Sequence, residues 1–188
     1  MKTMYIQPSQ SLNEQQVRAD KEGKAAVWKY LTERYQHTIS LYDTDHKSKQ
    51  CRADFVAEYS NGYINIIDVK NRFDTTSFTY TTTYISAAKI HSLYDAVNTG
   101  NLKGNANAYV YVYFADQSLY QFDVTKIYKE FAPTYHNVRK SRLGLGDSVI
   151  KNELIYEIPL DAGHYCGQYD ISDKDIMEYF DWNLRTSK

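Results

Sequence analysis

Two nine-residue stretches, 51–59 (CRADFVAEY) and 63–71 (YINIIDVKN), alternate apolar and polar residues and are separated only by Ser60-Asn61-Gly62. That alternation is the period of a strand with one buried face. A turn-forming triplet between two such runs signals an antiparallel hairpin. The turn decides what the hairpin presents. A three-residue loop sets Gly62 in the left-handed conformation of a G1 bulge, pairs Tyr59 with Tyr63 and, step by step, brings Asp54 opposite Asp68. A two-residue Asn-Gly turn would pair Asp54 with Val69 and send the aspartates to opposite faces. The three-residue loop is the reading adopted, because only it lets the two carboxylates act together.

Asp68 and Lys70 are two apart in a strand and share a face with Ile64 and Ile66, at the strand end where a site can open. Two bare carboxylates directly across a strand pair repel and weaken a sheet. A divalent cation between them reverses that sign. Hard oxygen ligands suit Mg²⁺ or Mn²⁺, which keep several waters and complete their shell with phosphate. The expected chemistry is an in-line displacement at phosphorus by a metal-activated water. Lys70 would orient that water or stabilise the charge that develops.

The flanking pattern supplies a scaffold. Residues 11–35 read as a helix with Val27, Leu31 and Tyr35 on one face and Val17 and Trp28 near it. A short strand is expected at 38–42, followed by a polar loop at 43–50. Residues 72–83 read as strand or loop, and 84–98 as a helix with Ile90, Leu93, Tyr94 and Val97 on its apolar face. Strands are expected at 108–114, the centre of the sheet by its run of apolar residues, and at 118–124 and 153–160. A short helix is expected at 124–131, a polar and basic stretch at 134–151, and a last helix from about Ser172, where Ser172 and Asp175 resemble a capping box. The order through Phe114 is α-β-β-β-α-β, which predicts one mixed sheet with helices packed on it.

An acid, a spacer and then acid-x-Lys on a hairpin, within that element order, resembles the PD-(D/E)XK nuclease superfamily over residues 14–114. The matching pieces are Ala53-Asp54 and Asp68-Val69-Lys70, fourteen residues apart from aspartate to aspartate, with Ala53 standing where the motif's name has proline. The resemblance implies a restriction-endonuclease-like α/β core, extended here by strands and a helix at 115–188 in one domain. It implies Asp54, Asp68 and Lys70 as catalytic residues, with the two aspartates on Mg²⁺ or Mn²⁺. It also implies a glutamate from the first helix, as in the phage junction-resolving members, for which Glu22 is the candidate catalytic and metal-binding residue. On a helical wheel Glu22 lies about 180° from Leu31, whereas Asp20 lies nearer the Val27–Leu31 side and is the alternative. Lys89, early in the second helix, falls where the superfamily often places a phosphate-contacting Lys or Gln. Asn71 and Arg72 directly follow the motif. Arg139, Lys140 and Arg142 form the densest basic run. All five of these and Lys89 are candidate nucleic-acid contacts.

The chain has 188 residues, 43% hydrophobic and 24% charged, which suits one globular domain. Its formal net charge of −1 argues against indiscriminate coating of nucleic acid, so any contact must come from local basic patches. The 19 tyrosines fit half-buried strand faces or base stacking. Cys51 and Cys166 form no disulfide framework, no zinc spacing and no dinucleotide or nucleotide-binding motif appears, and no organic cofactor is expected. No signal-peptide core or membrane span is evident, so a cytoplasmic protein is expected. The functional expectation is an endodeoxyribonuclease acting on duplex or branched DNA, as in a phage or mobile element. The alternatives are a non-catalytic nucleic-acid-binding or assembly module on the same fold, and an RNA endonuclease. Paired cuts would call for a homodimer.

Overall fold

The computed structural model describes residues 12–35, 39–44, 53–99, 102–141 and 148–186. The elements run α1 (Leu12–Tyr35), β1 (Ile39–Asp43), β2 (Phe55–Tyr59), β3 (Ile64–Arg72), β4 (Thr82–Ser86), α2 (Ala87–Asn98), β5 (Ala106–Phe114), β6 (Ser118–Asp123), α3 (Val124–Glu130), β7 (Thr134–Ser141), β8 (Ser148–Pro159), β9 (His164–Gln168) and α4 (Asp173–Thr186). The fold is mixed α/β. A six-stranded sheet, ordered β1-β2-β3-β5-β6-β9, lies between helices. β3 and β5 pair in parallel over nine residues, from Ile64↔Ala106 to Arg72↔Phe114, and every other strand pair is antiparallel. The α-β-β-β-α-β order holds, with the short β4 inserted before α2.

Alternation along β3 and β5 divides the core in two. One face buries Phe55, Ala57, Ile67, Val69 and Tyr111 under Ala25, Ala26, Val27, Tyr30 and Leu31 of α1. The other buries Val110 and Val112 under Ile90, Leu93 and Val97 of α2 and Ile127 of α3. The side-chain stripe expected for α2 is therefore the one it uses, and Tyr94 beside it stacks on Tyr128 of α3 at 3.8 Å. α1 lies close to β3: a Cβ on Gly23 would be 3.3 Å from the Asn71 side chain, and the Asn71 amide donates to the Ala19 carbonyl. Val17, expected near the buried stripe, is exposed instead and lines an open cleft beside α1.

Three features differ from the expected outline. A second sheet, ordered β4-β8-β7, stands beside the first, so the architecture is not one sheet. Residues 84–86, expected in the helix, complete β4 because Tyr84, Ile85 and Ser86 pair with Glu157, Tyr156 and Ile155. The stretch expected to be polar and basic at 134–151 contains β7 and the start of β8, paired antiparallel from Thr134↔Ile155 to Ser141↔Ser148. The capping box of α4 forms as expected: the Ser172 N–H donates to the Asp175 carboxylate at 2.9 Å and the Asp175 N–H to the Ser172 hydroxyl at 3.2 Å.

The 60–62 loop sets the register of the hairpin. The Gly62 N–H donates to the Tyr59 carbonyl and the Tyr59 N–H to the Tyr63 carbonyl, each at 2.8 Å, with Gly62 at φ +79°. This is the three-residue loop, and pairing runs from Glu58↔Ile64 to Phe55↔Ile67. Nothing lies within 4 Å of a Cβ placed on Gly62, so a side chain there meets only backbone strain. Gly62→Ala is expected to cost about 1 kcal/mol in urea unfolding, and Gly62→Asn measurably less, since Asn tolerates the left-handed region.

Candidate active site

The β2–β3 register, continued one step past Phe55↔Ile67, puts Asp54 opposite Asp68. Asp54 lies just beyond β2, however, and its backbone leaves the ladder. Its N–H donates to the Ile67 carbonyl at 2.8 Å. By the alternation of antiparallel bonds the Val69 N–H would be taken by the Ala53 carbonyl. Instead Asp54 Oδ2 accepts it at 2.7 Å, and the Ala53 carbonyl accepts the Thr44 hydroxyl. The side chain of Asp54 thus stands in for a strand carbonyl at the edge of β3. Its other oxygen lies 3.4 Å from the Lys24 ammonium of α1, which is also 3.5 Å from Asp20.

Asp68 is 1% exposed on the α2 face of β3. Its Oδ1 lies 2.7 Å from Lys89 of α2 and its Oδ2 lies 2.9 Å from Lys70. The Lys70 ammonium is off the direction of a hydrogen bond, and Oδ2 is buried with no hydrogen-bond partner. It has charge compensation from a close donor that is poorly aligned, an unusual state for a buried carboxylate oxygen. The repulsion expected between the two acids is present. The Asp54 carboxyl is pushed up to about 6, first by burial and then by the Asp68 charge, against the opposing pull of Lys24, the Val69 N–H and Lys70.

Two clefts meet at Lys70. One, of about 750 Å³, runs along α1 and is lined by Asp20, Lys21, Lys24, Asp54, Asn71 and Phe73. The other, of about 620 Å³, runs along the start of α2 and is lined by Ser86, Lys89, His91, Ser92 and Asp95. Lys70 lines both.

The fold brings Asp54, Asp68, Lys70 and Lys89 together. It does not bring Glu22 to them. Glu22 is buried, accepts from Arg18 at 2.9 Å, and through Arg18 joins Asp173 of α4. Burial first, and then the Glu22 charge, raises the Tyr113 hydroxyl pKa. The helix turns Asp20 to the cleft instead, as the wheel suggests. Among the described residues no three His, Cys, Asp or Glu side chains come close enough to form a metal cluster. The donor set is two carboxylates, one with an oxygen lacking a hydrogen bond, beside an open cleft. That set fits a hard divalent ion completed by water and phosphate, with Asp54 and Asp68 as the residues that would hold it.

Asn71 and Arg72 are engaged structurally: Asn71 bonds the Ala19 carbonyl and Arg72 donates to the Tyr84 carbonyl. Burial lowers the Arg72 guanidinium pKa. Arg139 and Lys140 occupy β7 positions paired with Ile150 and Val149. Arg142 and Cys51 lie outside the described residues. Lys24 has no place in the sequence reading, although a signal was there. It precedes Leu31 by seven residues, within about 20° of it on the wheel, so a lysine sits on the apolar stripe.

Comparisons with protein-family models and with curated proteins match nothing. Among solved structures the chain is similar to Hjc, a Holliday junction resolvase from the archaeal hyperthermophile Archaeoglobus fulgidus, with 15% identity over 79% of this chain and 98% of that one and a TM-score of 0.45. No helix among the described residues is long and apolar enough to cross a membrane.

The raised Asp54 carboxyl has a consequence for stability. The folded state holds the proton more tightly than the unfolded state, in which Asp titrates near pH 4. Stability is therefore highest below about pH 4 for this group and falls as pH rises to about 6. Urea unfolding at pH 4, 5, 6 and 7 is expected to show a loss of order 2 kcal/mol from this source. Asp54→Asn should flatten that slope.

Proposed function

We propose that this protein is a metal-dependent endodeoxyribonuclease that hydrolyses phosphodiester bonds with Asp54, Asp68 and Lys70. The observation that carries the reading is the buried Asp68, whose Oδ2 has no hydrogen bond, beside an Asp54 carboxyl raised by the neighbouring charge. Holding two mutually repelling carboxylates side by side costs stability, and a bound cation would offset that cost. Asp54 and Asp68 would hold Mg²⁺ or Mn²⁺, which activates water and offsets charge growing on the phosphate. Lys70, at the meeting of the two clefts, would orient the attacking water or stabilise the phosphorane-like transition state. Lys89 holds Asp68 on the α2 side, and Lys24 holds Asp54 on the α1 side.

A second reading has its own observation in favour. Three ammonium groups, on Lys24, Lys70 and Lys89, already surround the two carboxylates. A non-catalytic nucleic-acid-binding module would keep these ion pairs permanently and need no cation.

Cleavage assays with Mg²⁺ or Mn²⁺ on linear, supercoiled, single-stranded and four-way-junction DNA, with RNA alongside, separate the readings. Metal-dependent cutting is expected, reduced at least about a hundredfold in Asp68→Ala and Lys70→Ala. Mg²⁺ should also raise the melting temperature at neutral pH, and Asp68→Asn should lose that increment. No cutting together with no thermal response to the cation would favour the ion-paired module. Preference for RNA would change the substrate class and leave the site intact. Glu22→Gln is expected to alter cleavage by less than about threefold while lowering stability through its lost pair with Arg18, as kinetics and urea unfolding would show.

A further inference from the structure

Between β3 and β4 runs a segment, Phe73 to Thr81, that begins in one cleft and leads into β4. Phe73 lines the cleft that holds Asp54, and Ser86, at the end of β4, lines the cleft that holds Lys89. The segment is ordered by its own bonds. The Thr75 N–H donates to the Arg72 carbonyl at 3.1 Å and the Ala115 N–H to the Thr75 carbonyl at 2.9 Å. The Ser77 hydroxyl donates to Asp116 at 2.6 Å, and the Thr79 N–H donates to the Thr76 carbonyl at 3.2 Å. Yet this tied-down loop holds its aromatic side chains in water: Phe78 is 74% exposed and Tyr80 is 53% exposed.

A loop fixed by hydrogen bonds has little freedom to fold these rings away, and adjacent exposed aromatics mark a contact surface. From Phe73 to Thr81 the segment carries one charge, Asp74, whereas the two clefts that meet at Lys70 carry Lys21, Lys24, Lys70 and Lys89 beside Asp20, Asp54 and Asp95. Lysines in the clefts, with exposed rings on the segment that leaves one of them, match a polyanion whose flat apolar groups are free to turn outward. That describes a nucleic-acid strand with unpaired bases.

We infer that the 73–81 segment is a stacking arm, on which Phe78 and Tyr80 bind unpaired bases of a strand whose phosphates run through the clefts at Lys70. The arm deepens the nuclease reading, on which its catalytic role rests: substrates with unpaired bases beside the scissile bond are held in preference to continuous duplex.

The test measures binding to the full-length protein in EDTA, so that no strand is cut. The probes are fluorescent single-stranded DNA and RNA of about twelve nucleotides, a duplex of the same length, and an abasic strand with the same phosphates and no bases. The wild-type chain is expected to bind the single strands more tightly than either the duplex or the abasic strand. The double variant Phe78→Ser, Tyr80→Ser should lose about tenfold or more on the single strands, with unchanged affinity for the abasic strand and an unchanged melting temperature. Phe78→Trp with Tyr80→Trp should restore or strengthen binding. The proposal is overturned if the serine variant loses abasic and natural strands equally, or if nothing changes. It is also overturned if sedimentation shows that the rings instead join two copies of the chain. A chain that binds in the expected way and cuts nothing would keep the arm and lose the nuclease reading. A chain that cuts with metal while binding natural and abasic strands alike would do the reverse.

Discussion

Asp68 is a carboxylate held almost out of water in the middle of a parallel strand pair, and a charge so placed must be compensated locally. Two lysines supply that compensation from different elements, Lys70 from the same strand and Lys89 from α2. The ion pair with Lys89 therefore fixes where α2 begins relative to β3. It does so together with the apolar contacts of Ile90 and Leu93, which come from the same helical turn and the next. Removing either lysine would leave the other to balance a buried charge, which costs more than a surface pair returns. The start of α2, the clefts beside it and the approach to Lys70 all follow from where this one carboxylate is buried.

Asp54 solves the neighbouring problem differently. It sits at the end of β2, where the ladder stops, and its side chain replaces a backbone carbonyl as acceptor for the Val69 N–H. The β3 edge is left satisfied although β2 has ended, which matters because an unpaired buried N–H is costly. The second oxygen is left facing the cleft and Lys24. One carboxylate thus closes the sheet edge and keeps half of its acceptor capacity turned to the cleft.

What could be read from the sequence is what local chemistry decides. The 60–62 loop, the capping box at Ser172 and the apolar stripes of α1 and α2 each depend on residues within one or two turns of one another. What could not be read depends on distant pairing. β7 is polar and becomes a strand because residues 148–155 lie alongside it. β9 is five residues long at a sheet edge, too short to impose a pattern of its own. At the site, Asp54, Asp68 and Lys70 share one hairpin and were accessible from its register. Glu22 was suggested by resemblance, and the wheel already spoke against it. Arg18 takes it, and Arg18 also donates to Asp173 of α4, 155 residues away in sequence. Lys24 escaped notice because a lysine on an apolar stripe reads as a packing irregularity until the acid it faces is known.

The extension after β5 is tied to this site through the opposite edge of the sheet. In α4 the Tyr179 hydroxyl and, at 3.0 Å, the Asn183 amide both donate to the buried Asp43 carboxylate at the end of β1. The next residue, Thr44, donates its N–H to the Asp54 carbonyl at 2.9 Å and its hydroxyl to the Ala53 carbonyl. Asp54 is thereby held from both sides, by Val69 through its side chain and by Thr44 through its backbone. A buried acid bonded by two neutral donors is secured by many packed neighbours, here Phe55, Trp28 and Trp182 around Tyr179. Because Asp54 has left the regular ladder, nothing in β2 alone would fix its carboxylate. Its position is set by α4 acting through β1, so the C-terminal helix belongs to the architecture of the site as much as the hairpin does.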